Sequence, residues 1–138
     1  MNKHVEQLSI FLENKTGRLN EITKILADNK VSIDTINLVE AGDFGILRMV
    51  VNDAKNTKKI LDDNGISVKI TPVIVVEILD KVGCLNRVVS ALSGIDIQYT
   101  YTVNSHDIGA FIIKVSDGDI DKAISLLEED GIIVRDAV

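Results

Sequence analysis

The sequence predicts an α+β protein built from two copies of one β-α-β-β-α-β unit. Three observations carry this. Short runs alternate apolar and polar residues, and the segments between them repeat apolar residues at three- and four-residue spacing. The order strand, helix, strand, strand, helix, strand closes near residue 70 and then begins again. A glycine-centred turn, Glu13-Asn14-Lys15-Thr16-Gly17-Arg18-Leu19, returns 66 positions later as Leu79-Asp80-Lys81-Val82-Gly83-Cys84-Leu85.

In the first copy, Leu8, Ile10 and Leu12 alternate with Gln7, Ser9 and Phe11, which reads as a strand over 4–12. A helix is expected over 17–29, with Leu19, Ile22, Ile25 and Leu26 on one face and Asp28-Asn29-Lys30 ending it. Ile33 to Val39 reads as a second strand, Ala41-Gly42-Asp43 as a hairpin turn, and Phe44 to Val51 as a third strand. There Leu47, Met49 and Val51 share one face, and Ile46, Arg48 and Val50 the other. A second helix over about 54–64 is anchored by Ile60 and Leu61 and closed by Asn64-Gly65, with the glycine as a left-handed cap. Ile66, Val68 and Ile70 complete the unit.

The second copy repeats the order. Val73 to Leu79 is a strand, and 83–93 a helix with Leu85, Val88, Val89 and Leu92 inward. Ile97 to Val103 and Ile108 to Val115 are strands around the turn Asn104-Ser105-His106-Asp107. Asp119 is expected to cap a helix over 119–130, which Asp130-Gly131 closes as Asn64-Gly65 closes its counterpart. Ile132 to Val134 is the last strand. In the middle of the unit the offset falls to 64, so that Gly45 corresponds to Gly109. Two copies are too few for a solenoid. Each has about 65 residues, marginal for an independent core. Pro72, the only proline, sits at the junction, and no Gly/Ser linker separates 1–70 from 71–138. The two units are therefore expected to pack side by side, with antiparallel sheets and the helices on one face of each. The opposite faces carry Ile46, Val50, Ala110 and Ile112 beside Arg48 and Lys114, apolar enough to pack against another chain.

Composition removes several functions. Among 138 residues, 46% are apolar and 26% charged, the globular class. Aromatics make up 4% without a Trp, too few for a base-stacking platform. A net charge of −6 and no basic run longer than Lys58-Lys59 argue against nucleic acid. The single cysteine, Cys84, allows neither an internal disulfide nor a thiolate metal site. His4 and His106 stand far apart and form no His-x-x-x-His pair, so no metal and no cofactor are expected. Asp117, Asp119 and Asp121 lack the glycine spacing and distal Glu of a calcium loop. Residues 1–7 lack a signal-peptide core, and no apolar run nears the roughly 20 residues that span a bilayer. A reducing, cytoplasmic setting without membrane contact is the expectation.

The two glycine corners point to a ligand. A helix starts with backbone N–H groups that lack intrahelical acceptors and carries the positive end of a dipole. A glycine there lets a small anion approach the backbone closely. Either corner could hold a carboxylate without a catalytic side chain, or be an ordinary strand-to-helix turn. Cys84 in the first turn of its helix reads as a small packing residue or a pocket wall. Tyr99 and Tyr101 alternate with Thr100 and Thr102 as fillers of a sheet face or as pocket shapers.

The run Leu8-Ser9-Ile10-Phe11-Leu12-Glu13-Asn14-Lys15-Thr16-Gly17-Arg18-Leu19, its helix, Val31-Ser32-Ile33 and the hairpin to Gly45-Ile46-Leu47-Arg48-Met49-Val50-Val51 together resemble the ACT domain. The resemblance covers nearly the whole chain twice. It is similar to tandem ACT-domain proteins, with an echo of acetolactate synthase regulatory subunits in the first copy. It implies two ferredoxin-like units that bind a free amino acid at an interface between ACT units and relay its presence, most simply as a homodimer acting on a separate enzyme. Carried over by position, the resemblance implies ligand contacts at Asn14, Thr16, Gly17, Arg18 and Leu19. In the second copy they fall on Asp80, Val82, Gly83, Cys84 and Leu85. Ser32 and Asp96 stand where a partner domain contributes a polar group. Asn14 can both donate and accept, whereas an ionised Asp80 only accepts, so a split between carboxylate and amine recognition follows. Two other functions fit the same fold. One is an acylphosphatase-type hydrolase using Gly17-Arg18 and Asn37; the other is an oligomerisation module without ligand.

Overall fold

The computed structural model describes residues 3–13, 16–79, 81–103 and 108–138. The elements, in order, are β1 (Val5–Glu13), α1 (Arg18–Asp28), β2 (Ile33–Ala41), β3 (Phe44–Val51), α2 (Ala54–Asp63) and β4 (Val68–Leu79). They continue with α3 (Cys84–Ala91), β5 (Ile97–Val103), β6 (Ile108–Val115), a 3-10 turn (Asp117–Asp119), α4 (Ile120–Glu129) and β7 (Val134–Arg135). The β-α-β-β-α-β order appears twice, as the periodicities predict. The expected fourth and fifth strands are one continuous strand, β4, which passes through Pro72. The chain divides into two compact units, Glu6–Thr71 and Pro72–Val138, the latter joined by the N-terminal residues as far as Val5.

In the first unit the strand order is β2-β3-β1-β4, with β3 antiparallel to both β1 and β2. Leu8, Ile10 and Leu12 lie opposite or beside Leu47 and Met49 in register, and all are buried on the helix-bearing face. Ile22 and Leu26 of α1 and Leu61 of α2 close this core. On the other face, Gln7 Nε2 donates to Ser9 Oγ at 3.3 Å, and Ser9 and Thr71 share a hydroxyl hydrogen bond at 3.1 Å. These bonds tie β1 to the first residues of β4 and satisfy polar groups in a region where Gln7 is fully buried.

The second unit has the order β5-β6-β4, with β7 on the far edge of β4. Ile74, Val76 and Ile78 pack with Phe111, Ile113 and Val115 beneath Val88, Leu92, Ile120, Ala123 and Leu127. The two units share even their irregularities. A register shift falls between Ile33 and Thr35 in β2, and another between Ile97 and Tyr99 in β5. Gly65 and Gly131, both at positive φ, end α2 and α4 as expected. Lys30, at φ 57, does the same for α1 without being glycine.

Four expectations are corrected. In α3, Val88 and Leu92 are buried but Leu85 and Val89 are exposed, because the helix presents a narrow i, i+4 stripe rather than a broad face. Leu19 is likewise exposed on α1, where Ile22 and Leu26 carry the burial, and in α2 Leu61 is joined by buried Thr57 while Ile60 is only half-buried. The side chain of Asp119 makes no capping hydrogen bond. Residues 52–53 join β3 to α2, whereas 116–119 join β6 to α4, and the longer connection coils into the 3-10 turn. Asp117 there accepts from Lys114 Nζ at 3.0 Å, while Asp53 Oδ1 accepts the Asn56 N–H at 3.2 Å and caps α2. Finally, Val50, Ala110 and Ile112 are buried within the single chain, so their burial needs no second copy.

Asp53→Ala is expected to lower stability by about 1 kcal/mol, the usual cost of a lost cap. Asp119→Ala should stay within about 0.5 kcal/mol of the parent, since no capping bond is lost. The midpoints of urea unfolding curves distinguish the two.

Candidate functional site

Both glycine corners form in the same way. β1 ends at Glu13, and Gly17 precedes α1 at φ 86, ψ −4; β4 ends at Leu79, and Gly83 precedes α3 at φ 89, ψ −7. This left-handed conformation costs an L-residue about 1–2 kcal/mol and glycine almost nothing. Space is not the constraint, since a Cβ at either glycine would meet nothing within 4 Å. Neither helix has a side-chain cap. The first helical bonds run from the Glu21 N–H to the Gly17 carbonyl and from the Arg87 N–H to the Gly83 carbonyl, both at 3.0 Å. The amides ahead of Glu21 and Arg87 therefore have no acceptor within their own helices.

The corners differ in the residue that follows the glycine. In the second, the Cys84 N–H donates to the Lys81 carbonyl at 3.2 Å, and the Cys84 thiol accepts the Leu79 N–H at 3.3 Å. Cys84 is half-buried against the core of its unit. It braces the turn from inside, the packing role that the sequence left open. Val82 and Leu85 are exposed beside it.

In the first corner, Arg18 stands where Cys84 stands in the second. Its Nη1 donates to Glu21 Oε2 at 3.0 Å, one turn along the helix. That pair is exposed enough to be worth little by itself and to open toward another anion. Thr16, Gly17 and Arg18 line an open cleft of about 360 Å³ with Glu13 and Glu21. A second open cleft, of about 490 Å³, shares Glu13 and Arg18. Its other walls are Leu12, Leu19 and the β2–β3 hairpin, through Leu38, Val39, Glu40, Phe44 and Gly45.

The hairpin side of this cleft was not among the residues inferred from sequence. Gly45 explains why a cleft exists there. In register it lies opposite both Leu12 and Glu40. A Cβ on it would sit 3.1 Å from Leu38 Cδ1 and 4.0 Å from Leu12 Cβ, so its missing side chain leaves the floor open. The signal was a glycine inside a strand, repeated as Gly109, which marks a close approach of other groups.

Of the remaining candidates, Asn14 and Asp80 lie outside the described residues. Ser32 stands at the opposite end of its unit from Gly17, because β2 begins beside the end of β3 and not beside its start. Its N–H donates to Asn52 Oδ1 at 3.1 Å, and its carbonyl accepts the Asn52 N–H at 3.2 Å. Asp96 is exposed at the matching place before β5. Within one unit neither joins its glycine corner. Asn37 pairs with Arg48 and lies on the strand face opposite to Leu38, so the constellation needed for acyl phosphate hydrolysis, Arg18 with Asn37, does not assemble. Among the described residues, no helix is long and apolar enough to cross a membrane.

Comparison with known proteins agrees with this geometry. Protein BT0572 from Bacteroides thetaiotaomicron, known from a crystal structure, is similar at 36% identity with a TM-score of 0.89. The alignment covers 96% of this chain and 92% of that one. The regulatory subunit of aspartate kinase from Thermus thermophilus, in a ligand-free form, shares the fold at 16% identity and a TM-score of 0.65, covering 92% of each chain. The corresponding subunit from Thermus flavus does so at 17% identity and 0.63, covering 93% of this chain and 92% of that one. No curated protein sequence matches the chain. The family described as "ACT domain pair" matches residues 3–136, and with the twice-formed β-α-β-β-α-β unit this establishes that the chain belongs to the ACT domain pair family.

Proposed function

We propose that this chain is a non-catalytic regulatory protein that binds a free amino acid at the Gly17 corner of its first unit and relays binding through a change in association with a second copy. One observation carries the reading: a left-handed glycine at a helix start stands beside Arg18, which lines two open clefts. Backbone N–H groups at the start of α1, together with Arg18, receive the α-carboxylate. Glu40 on the cleft wall receives the ammonium. Asn14, Thr16 and Leu19 complete the first site. The second corner, where Cys84 replaces Arg18 and its thiol accepts the Leu79 N–H, takes the amino acid weakly or serves as scaffold. Ser32 and Asp96 contribute only if another copy brings them to a corner. The regulated target is an enzyme of amino-acid metabolism, a role supported by the regulatory subunits of aspartate kinase that share the fold. The ligand can move an association equilibrium only by binding the two states with different affinity.

A thermal-shift screen of the twenty amino acids tests this directly. At a hundredfold excess over Kd the bound ligand adds about 2.7 kcal/mol and raises Tm by several degrees. No shift with any amino acid would sink the proposal. Light scattering with and without the active ligand should then show a change in oligomeric mass.

Substitutions locate the site. Gly17→Val forces a side chain into the left-handed region and should abolish binding while the circular-dichroism spectrum is retained. Arg18→Ala removes a charged hydrogen bond worth about 1.5–3 kcal/mol, so affinity should fall roughly 10- to 150-fold by calorimetry. Its effect on stability should be within about 0.5 kcal/mol, because the Glu21 pair is exposed. Cys84→Ala should cost stability and leave that affinity unchanged.

A further inference from the structure

The cleft beside Arg18 has a division of chemistry that bears on which amino acid it takes. Its lining combines three charged residues, Glu13, Arg18 and Glu40, with several apolar ones. Arg18 is the one cation among the described lining residues. Glu13, which has an interaction of its own, and Glu40 are its two exposed carboxylates. The head of a zwitterion matches these groups: the α-carboxylate takes Arg18 and the ammonium takes Glu40. An acidic side chain would then face these carboxylates and, among the described lining residues, find no second cation. A charged group carried along the walls without a partner is strongly disfavoured.

The walls ask for something else. Leu12 is buried at their base, while Leu19, Leu38 and Phe44 remain 37%, 49% and 49% exposed. Three large apolar side chains thus converge, open to water, on a floor that Gly45 leaves clear. The second unit keeps exposed apolar residues, Leu85 and Ile108, where Leu19 and Phe44 stand, but has Thr102 in place of Leu38 and Cys84 in place of Arg18.

From this juxtaposition we infer that the first-unit cleft selects amino acids with uncharged aliphatic side chains, with Leu38 and Gly45 setting how large a side chain fits. The inference rests on the proposed amino-acid-binding role and deepens it. Each methylene buried against Leu19, Leu38 and Phe44 strengthens binding about fourfold. A methyl group at position 45 would sit 3.1 Å from Leu38 Cδ1 and require that side chain to shift at the cleft wall.

Calorimetry on the full chain with leucine, valine, alanine, aspartate and lysine tests the inference. Leucine or valine should bind at least about tenfold more tightly than aspartate or lysine. Gly45→Ala should weaken leucine more than alanine, and Leu38→Ala, which leaves no large side chain to displace, should reduce the leucine-to-alanine ratio without loss of fold by circular dichroism. Aspartate or lysine binding as tightly as leucine would overturn the aliphatic selectivity while leaving the amino-acid-binding role standing. Absence of binding by every amino acid would overturn both. Equal weakening of leucine and alanine in Gly45→Ala would remove Gly45 and Leu38 as the size-setting pair.

Discussion

A helix that starts directly after a strand, with glycine in the left-handed region as its first boundary, is the constraint on which each unit depends. The chain must reverse from the end of a central strand onto the face of the same sheet in a few residues. A residue with a Cβ resists that conformation, and no side chain caps either helix to compensate. Gly17 and Gly83 therefore fix where α1 and α3 enter, and the entry point decides that Ile22, Leu26, Val88 and Leu92 meet the sheet. The same turn leaves amides at the helix start without intrahelical partners. The fold's geometry and the donors available to the proposed ligand thus arise from one local conformation.

The two units show how far a repeated backbone can diverge in chemistry. Element starts correspond at an offset of 66 for the first helices, 64 for β2 with β5 and β3 with β6, and 66 again for the second helices. The second unit has the shorter first helix, 8 residues against 11, and the longer connection before its last helix, where the 3-10 turn lies. The sheet registers keep step throughout: Leu12 faces Gly45 as Ile78 faces Gly109. Upon this shared frame, Arg18 in one corner and Cys84 in the other give opposite outcomes. One presents a cation to solvent, and the other turns a thiol inward to accept a backbone N–H.

Much of the fold was legible because burial imposes a period. Leu8, Ile10 and Leu12, or Leu47, Met49 and Val51, can share a core only as strands, and the caps at Gly65 and Gly131 announce themselves through a residue type that tolerates positive φ. Helix faces were less legible. Leu19, Leu85 and Val89 are apolar yet exposed, since periodicity indicates a side of a helix but not the width of the contact. Asp119 looked like a cap because the residue type was right, but two extra residues in the connection changed the backbone around it. The candidate site divides similarly. Its glycine corner is contiguous in sequence and was found, while its hairpin wall joins Leu12 to Leu38 and Gly45 through strand pairing that no local pattern encodes.

The continuity of β4 has a consequence for how the gene can vary. Val68 packs into the first core, and Ile74, Val76 and Ile78 pack into the second, along a single strand. Inserting or deleting one residue among the first few positions would invert the alternation for everything downstream and mismatch both cores together. Length variation is thus barred from the junction, where tandem proteins ordinarily tolerate it, and diverted to connections such as 116–119.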